Sequence, residues 1–165
     1  MKTLLLLRHA RPSQISPTGR DFDRPLTEEG RADALLIGQL LRRRQLRPEA
    51  IICSPAARAL QTADYVIEAS RFRTRLLFYD RIYEANTEQL IEVVSEVGGG
   101  AGMLLVVGHN PGLQELLERL TGESAPMLPA TLARIDLDID AWVELANAPR
   151  GRLVFAVSAQ ASVGH

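Results

Sequence analysis

This 165-residue chain predicts an α/β fold: a three-layer α/β/α sandwich around a mostly parallel sheet. Three observations carry that expectation. The runs Thr3–Leu7, Ala50–Cys53 and Met103–Val107 are apolar without alternation, as strands buried on both faces are. Segments of helical periodicity separate them, and alternating strands and helices imply parallel strands joined by crossovers. Finally, the first run ends in Arg8-His9 and the last in Gly108-His109-Asn110-Pro111-Gly112. Open α/β sheets build their ligand sites at such strand exits.

In chain order, residues 3–8 read as the first strand. Residues 10–26 carry no periodic apolar face and read as a polar loop, long enough to suggest function. Thr27 caps a helix starting at Glu28, whose acidic first turn suits the helix dipole. Ala32, Leu36 and Leu40, with Leu35 beside them, mark its expected apolar face. Arg42-Arg43-Arg44 suits the last turn, and without interleaved aromatic residues it does not read as a nucleic-acid site. Residues 50–53 form the second strand. Ser54-Pro55 then predicts a helix opening, a cap with proline at the first helical position, running to about Ser70. Arg58 lies near its start. Residues 75–79 suggest a short strand, and Tyr83-Glu84-Ala85 a turn. Asn86 with Gln89 forms a capping-box pattern before Leu90, Ile91, Val94 and Val97. Gly98-Gly99-Gly100 reads as a flexible end to that helix.

Residues 103–107 read as another buried strand. Asn110-Pro111 opens a helix with Leu113, Leu116, Leu117 and Leu120 on one face and Gly122 past its end. The tail suggests strands at 132–137, 142–146 and 153–157, the last two pairing as a hairpin through Asn147–Gly151. No repeat or linker interrupts the pattern, so residues 1–165 are expected to form one domain.

Composition narrows the function classes. Nineteen basic and twenty acidic residues leave a net charge of −1, offering no global attraction to nucleic acid or membrane. No apolar stretch approaches a membrane span. Lys2 precedes only a short apolar run that Arg8 ends, so no secretory leader is expected and the chain reads as cytoplasmic. The single cysteine, Cys53, excludes an internal disulfide and reads as a small buried hydrophobe. With three histidines, one of them the terminal His165, no local zinc-ligand cluster is present.

The candidates for chemistry are Arg8, His9, Arg58, Glu84 and His109. Two arginine forks suit a tetrahedral oxyanion. One histidine can attack phosphorus while another donates to phosphoryl oxygens, and a carboxylic acid can protonate the leaving oxygen. Cationic donors can neutralise the charge that Mg²⁺ handles elsewhere, so neither metal nor cofactor is expected. Taken singly, each residue also has a structural reading: a histidine bonded to backbone, a surface arginine, a solvated loop carboxylate.

Together, the motifs resemble a known family. Leu7-Arg8-His9-Ala10 is similar to the Arg-His-Gly signature of the histidine phosphatase superfamily, also called phosphoglycerate-mutase-like. Ser54-Pro55-Ala56-Ala57-Arg58-Ala59-Leu60-Gln61-Thr62-Ala63 resembles its second signature, and Val107-Gly108-His109-Asn110-Pro111 that of its second catalytic histidine. Arg24-Pro25-Leu26-Thr27-Glu28-Glu29-Gly30 matches the entry to its first long helix. The resemblance implies a phosphoglycerate-mutase-like fold. It implies His9 as nucleophile, passing through a phosphohistidine intermediate. It also implies a phosphate pocket of Arg8, Arg58 and His109, with Arg24 and Asn110 as auxiliary contacts. Glu84 falls near the family's general acid. Ala10 replaces the usual glycine. The short chain looks most like the SixA-type phosphohistidine phosphatases, which implies a phosphorylated protein as substrate. A small phosphate ester is the alternative. A mutase fits less well, for lack of insertions to enclose the site. A non-enzymatic phosphate-sensing or phosphoprotein-binding domain is a further alternative, against which the complete residue set weighs.

Overall fold

The computed structural model describes residues 1–162, so His165 lies outside the described residues. Six strands form one sheet: β1 (Lys2–Arg8), β2 (Ala50–Cys53), β3 (Arg75–Phe78), β4 (Met103–Gly108), β5 (Thr131–Leu137) and β6 (Arg152–Ser158). Their spatial order is β3-β2-β4-β1-β5-β6. The pairs β2/β3, β2/β4 and β1/β4 are parallel, whereas β1/β5 and β5/β6 are antiparallel. The three apolar runs are thus the adjacent strands β2, β4 and β1.

Alternation along each strand divides the core into two layers. Leu4, Leu6, Ile52, Leu104 and Val106 face one layer, covered by α3 (Thr87–Val97) and α4 (Gly112–Thr121). Leu5, Leu7, Ile51, Cys53, Leu105 and Val107 face the other, covered by α1 (Glu28–Arg43) and α2 (Ala57–Ser70). Burial on both sides is why these strands lack polar alternation. Cys53 is fully buried, and burial pushes its thiol pKa up.

Thr27 caps α1 by accepting from the Gly30 amide, and Asn86 and Gln89 form the expected capping box on α3. Three local expectations need correction here. The buried face of α1 is Ala34, Ile37 and Leu41, with Gly38 and Leu40, while Ala32 is exposed. The face is rotated because α1 packs on α2 as well as on the sheet. At their crossing, a Cβ on Gly38 would lie 2.5 Å from the Val66 carbonyl oxygen. Helix α2 begins two residues later than Pro55, with Ala56 as an N-cap lacking a side-chain bond. Gly98 is a packing position rather than a flexible one: a Cβ there would fall within 2.4 Å of the Trp142 ring.

The tail differs most. Residues 142–146 are not a strand, because Trp142–Asn147 forms 3-10 turns that bury Trp142 and Leu145. Glu144 holds this segment by accepting from the Asp140 and Ala141 amides. β6 therefore pairs with β5 and not in the expected hairpin. Among the described residues, no helix is long and apolar enough to cross a membrane.

Candidate active site

Parallel neighbours share their exit edge, so β1, β4 and β2 deliver Arg8-His9, His109 and Ser54 side by side. Arg8 lies in register with Gly108, and Cys53 with Val107. Arg58 comes from the first turn of α2 and Asn110 from the segment entering α4. A pocket of about 290 Å³ at this edge is lined by Arg8, His9, Pro12, Arg24, Arg58, Glu84, His109 and Asn110. Residues widely separated in sequence, all seven candidates among them, meet here.

His9 is 5% exposed, and its Nδ1 lies 2.8 Å from the Ala10 carbonyl oxygen. A carbonyl only accepts, so Nδ1 carries the hydrogen and Nε2 keeps its lone pair. Burial, with Arg58, Arg8 and Arg24 nearby, lowers the His9 pKa to about 4, outweighing the Ala10 hydrogen bond. The imidazole is therefore neutral at pH 7, as a nucleophile must be.

His109 is oriented differently. Its Nε2 lies 2.7 Å from Ser54 Oγ, which also accepts from the Ala56 amide at 3.2 Å. In the tautomer where the Ser54 hydroxyl donates to Nε2, a neutral His109 carries its proton on Nδ1. Burial, the neighbouring His9 and Arg58 lower its pKa to about 3. The two histidine rings lie 5.1 Å apart, and Tyr83 meets His109 edge-on at 5.5 Å. His109 Nδ1 and Arg8 Nε are both buried without a hydrogen-bond partner. Unpaired buried donors are uncommon in native folds.

The guanidiniums are fixed by acceptors. Arg8 donates to the Met127 carbonyl at 3.0 Å, which also accepts from Asn110 Nδ2 at 2.8 Å. Asp21, in the loop after β1, organises the opposite wall. Its carboxylate accepts from Arg58 at 3.0 Å, Arg24 at 2.9 Å and the Tyr83 hydroxyl at 2.8 Å, and its carbonyl accepts from Arg58 at 2.9 Å. The Tyr83 bond foremost, with both arginines, lowers the Asp21 pKa to about 2 against partial desolvation. Glu84 is exposed at the pocket mouth, with φ of 55°. Ala10 is fully buried outside the left-handed region, and its amide donates to Thr62 Oγ1 at 3.0 Å. Alanine thus replaces glycine here without backbone strain.

Sequence reasoning missed Asp21, Ser54 and Tyr83. Ser54 stood in the second motif but reads locally as a helix cap. Asp21 lies in a polar loop 37 residues from Arg58, with no local signal.

The model of the histidine phosphatase superfamily (branch 1) matches residues 4–90. An uncharacterised protein of Mycobacterium tuberculosis is 35% identical over 123 residues, 72% of this chain and 74% of that one. Among solved structures, a candidate phosphohistidine phosphatase SixA from Agrobacterium tumefaciens superposes with a TM-score of 0.81 at 29% identity, over 95% of this chain and 97% of that one. A second candidate SixA phosphatase, from Nakamurella multipartitia, gives 0.80 at 28% identity, over 94% and 95%. Motif order, sheet topology and these likenesses agree: the chain belongs to the histidine phosphatase superfamily, as a phosphatase of the SixA type.

Proposed function

We propose that this phosphatase hydrolyses phosphohistidine on other proteins through a phosphohistidine intermediate on His9, without a metal. The observation that carries the reading is the His9 Nδ1–H bond to the Ala10 carbonyl, which leaves Nε2 as the one nucleophilic nitrogen of a neutral ring. In the first step the Nε2 lone pair forms a bond to phosphorus while the substrate's P–N bond breaks. The departing imidazole keeps the electron pair and carries a proton. In the second step water adds to phosphorus, the P–Nε2 bond breaks, and orthophosphate leaves with His9 restored.

Arg8, Arg58 and His109 hold the phosphoryl oxygens, with Arg24 and Asn110 beside them. The two orphan donors, His109 Nδ1 and Arg8 Nε, find their acceptors in that group. Cationic donors thus replace a divalent ion. Among the described residues, no three His, Cys, Asp or Glu side chains gather where one would sit. The exposure of Glu84 and of much of Asp21 supports a substrate presented on a protein surface.

Glu84 at the pocket mouth favours a second reading, hydrolysis of small phosphate esters. An alkoxide needs a proton as it leaves, and general acid catalysis contributes about 10²–10⁴-fold. An imidazole leaves readily once protonated in solution.

The experiment compares wild type, His9→Ala and Glu84→Gln on a phosphorylated histidine phosphotransfer domain, an alkyl phosphate and an aryl phosphate, each with and without EDTA. Expected are an acid-labile phosphate adduct on His9, no turnover by His9→Ala, and full activity in EDTA. Phosphohistidine hydrolysis by Glu84→Gln should stay within about tenfold of wild type. Label on His109 with none on His9 overturns the nucleophile. A strict divalent-metal requirement overturns the metal-free step. Alkyl-ester turnover that depends on Glu84, with negligible phosphohistidine turnover, moves the substrate to small esters.

A further inference from the structure

A second cleft, lined by arginines, lies at the opposite end of the sheet. Helix α2 carries Arg58 in its first turn and ends at Ser70. Twelve residues of helix separate the two by about 18 Å. Around that far end, Arg42, Gln45, Arg47, Arg71, Phe72 and Arg73 line a concavity of about 650 Å³. It shares no lining residue with the phosphatase pocket.

Three features of this cleft bear on a ligand. Among the described residues, none of Arg42, Arg47, Arg71 and Arg73 forms an ion pair with a carboxylate. In a chain with twenty acidic residues, four arginines that repel one another line one cleft. Next, Arg71 and Gln45 hold φ of 59° and 54°. Arg71 caps α2 in the left-handed region, where glycine is the least strained residue. A cationic side chain stands there against the local backbone preference. Last, the Arg47 guanidinium lies over the Phe72 ring, 4.8 Å from its centroid. The basic run at 42–44 lacked aromatic neighbours in sequence; the fold sets Arg44 over Phe155, outside the cleft, and Arg47 over Phe72 at its rim.

We propose that this cleft binds a small ligand carrying two or more contiguous phosphate groups. A guanidinium is a fork of donors matched to phosphate oxygens, and four of them around one cleft call for more than one phosphate. The volume is that of a small-molecule site. A nucleic-acid strand calls for an extended basic groove with successive stacking platforms, and this cleft is one concavity with one ring. The phosphates come either from free oligophosphate or from a nucleoside polyphosphate whose base adds contacts at the Phe72 rim.

The test uses ¹⁵N-labelled His9→Ala protein, which removes turnover. Amide shifts are followed during titration with inorganic tripolyphosphate, and separately with adenosine triphosphate, at constant ionic strength. Expected are shifts at residues 42–47 and 70–74, distinct from those at residues 8–12 and 108–112. Adding Arg71→Gly and Arg73→Ala should weaken the first set at least tenfold, since two charge-assisted contacts are lost, and spare the second set. Arg71→Gly by itself should keep or raise Tm, because glycine relieves the left-handed strain, so lost binding is not lost folding. In the otherwise wild-type enzyme, the same pair should leave aryl phosphatase kcat/KM within about twofold, as expected of surface changes remote from the pocket. Tighter binding of the nucleotide assigns the nucleoside source, and equal binding the free oligophosphate. The proposal fails if shifts occur only at the phosphatase pocket, if the double variant binds like its parent, or if a poly-glutamate peptide saturates the same amides equally well. None of these outcomes bears on phosphohistidine hydrolysis.

Discussion

Ser54 shows how one side chain sets the chemistry of another. Its hydroxyl accepts the Ala56 amide and lies within hydrogen-bond distance of His109 Nε2. When that hydroxyl donates to Nε2, the proton of His109 is left on Nδ1, which is buried with no protein partner. Ser54→Ala removes that constraint and strands two buried polar groups, the Ala56 amide and His109 Nε2. Each unsatisfied group costs about 1–3 kcal/mol. The expected result is a lower Tm together with a kcat/KM for aryl phosphate reduced about tenfold or more. Ser54→Thr, which keeps the hydroxyl, should recover most of the rate. Equal rates for Ser54→Ala and wild type would show that His109 needs no partner to hold its tautomer.

Two elements depend on close approach. The loop between β1 and α1 is held to the rest of the site by Asp21, which joins Arg58 of α2, Arg24 of the loop itself and Tyr83. Asp21 is about half exposed, so Asp21→Ala should change Tm little. It should nevertheless lower kcat/KM about tenfold, because Arg58 and Arg24 lose the acceptor that aims them. Unaltered steady-state kinetics in that variant would remove Asp21 from the site's architecture. At the α1–α2 crossing, Gly38 admits no side chain. Overpacking costs about 1–3 kcal/mol, which outweighs the gain of up to about 1 kcal/mol from replacing a helical glycine. Gly38→Ala should therefore lower Tm by about 2–6 °C. A raised Tm on differential scanning calorimetry would mean that the helices are not in this contact.

For the whole molecule, burying two neutral histidines makes stability depend on pH. His9 and His109 have folded pKa values of about 4 and about 3, below the ordinary value of 6.5. Between pH 6.5 and 4 the unfolded chain therefore binds more protons than the native one, and stability falls as pH falls. For His9 the loss is on the order of 3 kcal/mol at most. Asp21, lowered to about 2, acts in a separate window, losing its contribution only as pH falls below about 4. Thermal melts at pH 7.5, 6.5, 5.5 and 4.5 should show a declining Tm, with a shallower decline for His9→Ala. A flat wild-type profile would show that the histidines ionise normally. Bound orthophosphate should raise both histidine pKa values, since an adjacent anion favours the cation.

What the sequence determined by itself was the scaffold and the candidate residues at its edge. Unbroken apolar runs required strands covered on both faces, and the motifs at their exits named Arg8, His9, Arg58 and His109. The caps at Thr27 and Asn86 were legible because each is a bond between near neighbours in the chain. Tertiary structure alone decided the rest. Only the strand order β2-β4-β1 brings the motif residues to one edge. The long-range partners had no local mark: Asp21 for Arg58, Ser54 for His109, Phe72 for Arg47. The tail was misread for a related reason. A short apolar stretch such as Trp142–Leu145 has little intrinsic preference, and the packing of Trp142 against Gly98 chose 3-10 turns over a strand. Local hydrogen bonds and periodic burial are written along the chain, whereas contacts across the fold depend on which surfaces meet once those elements exist.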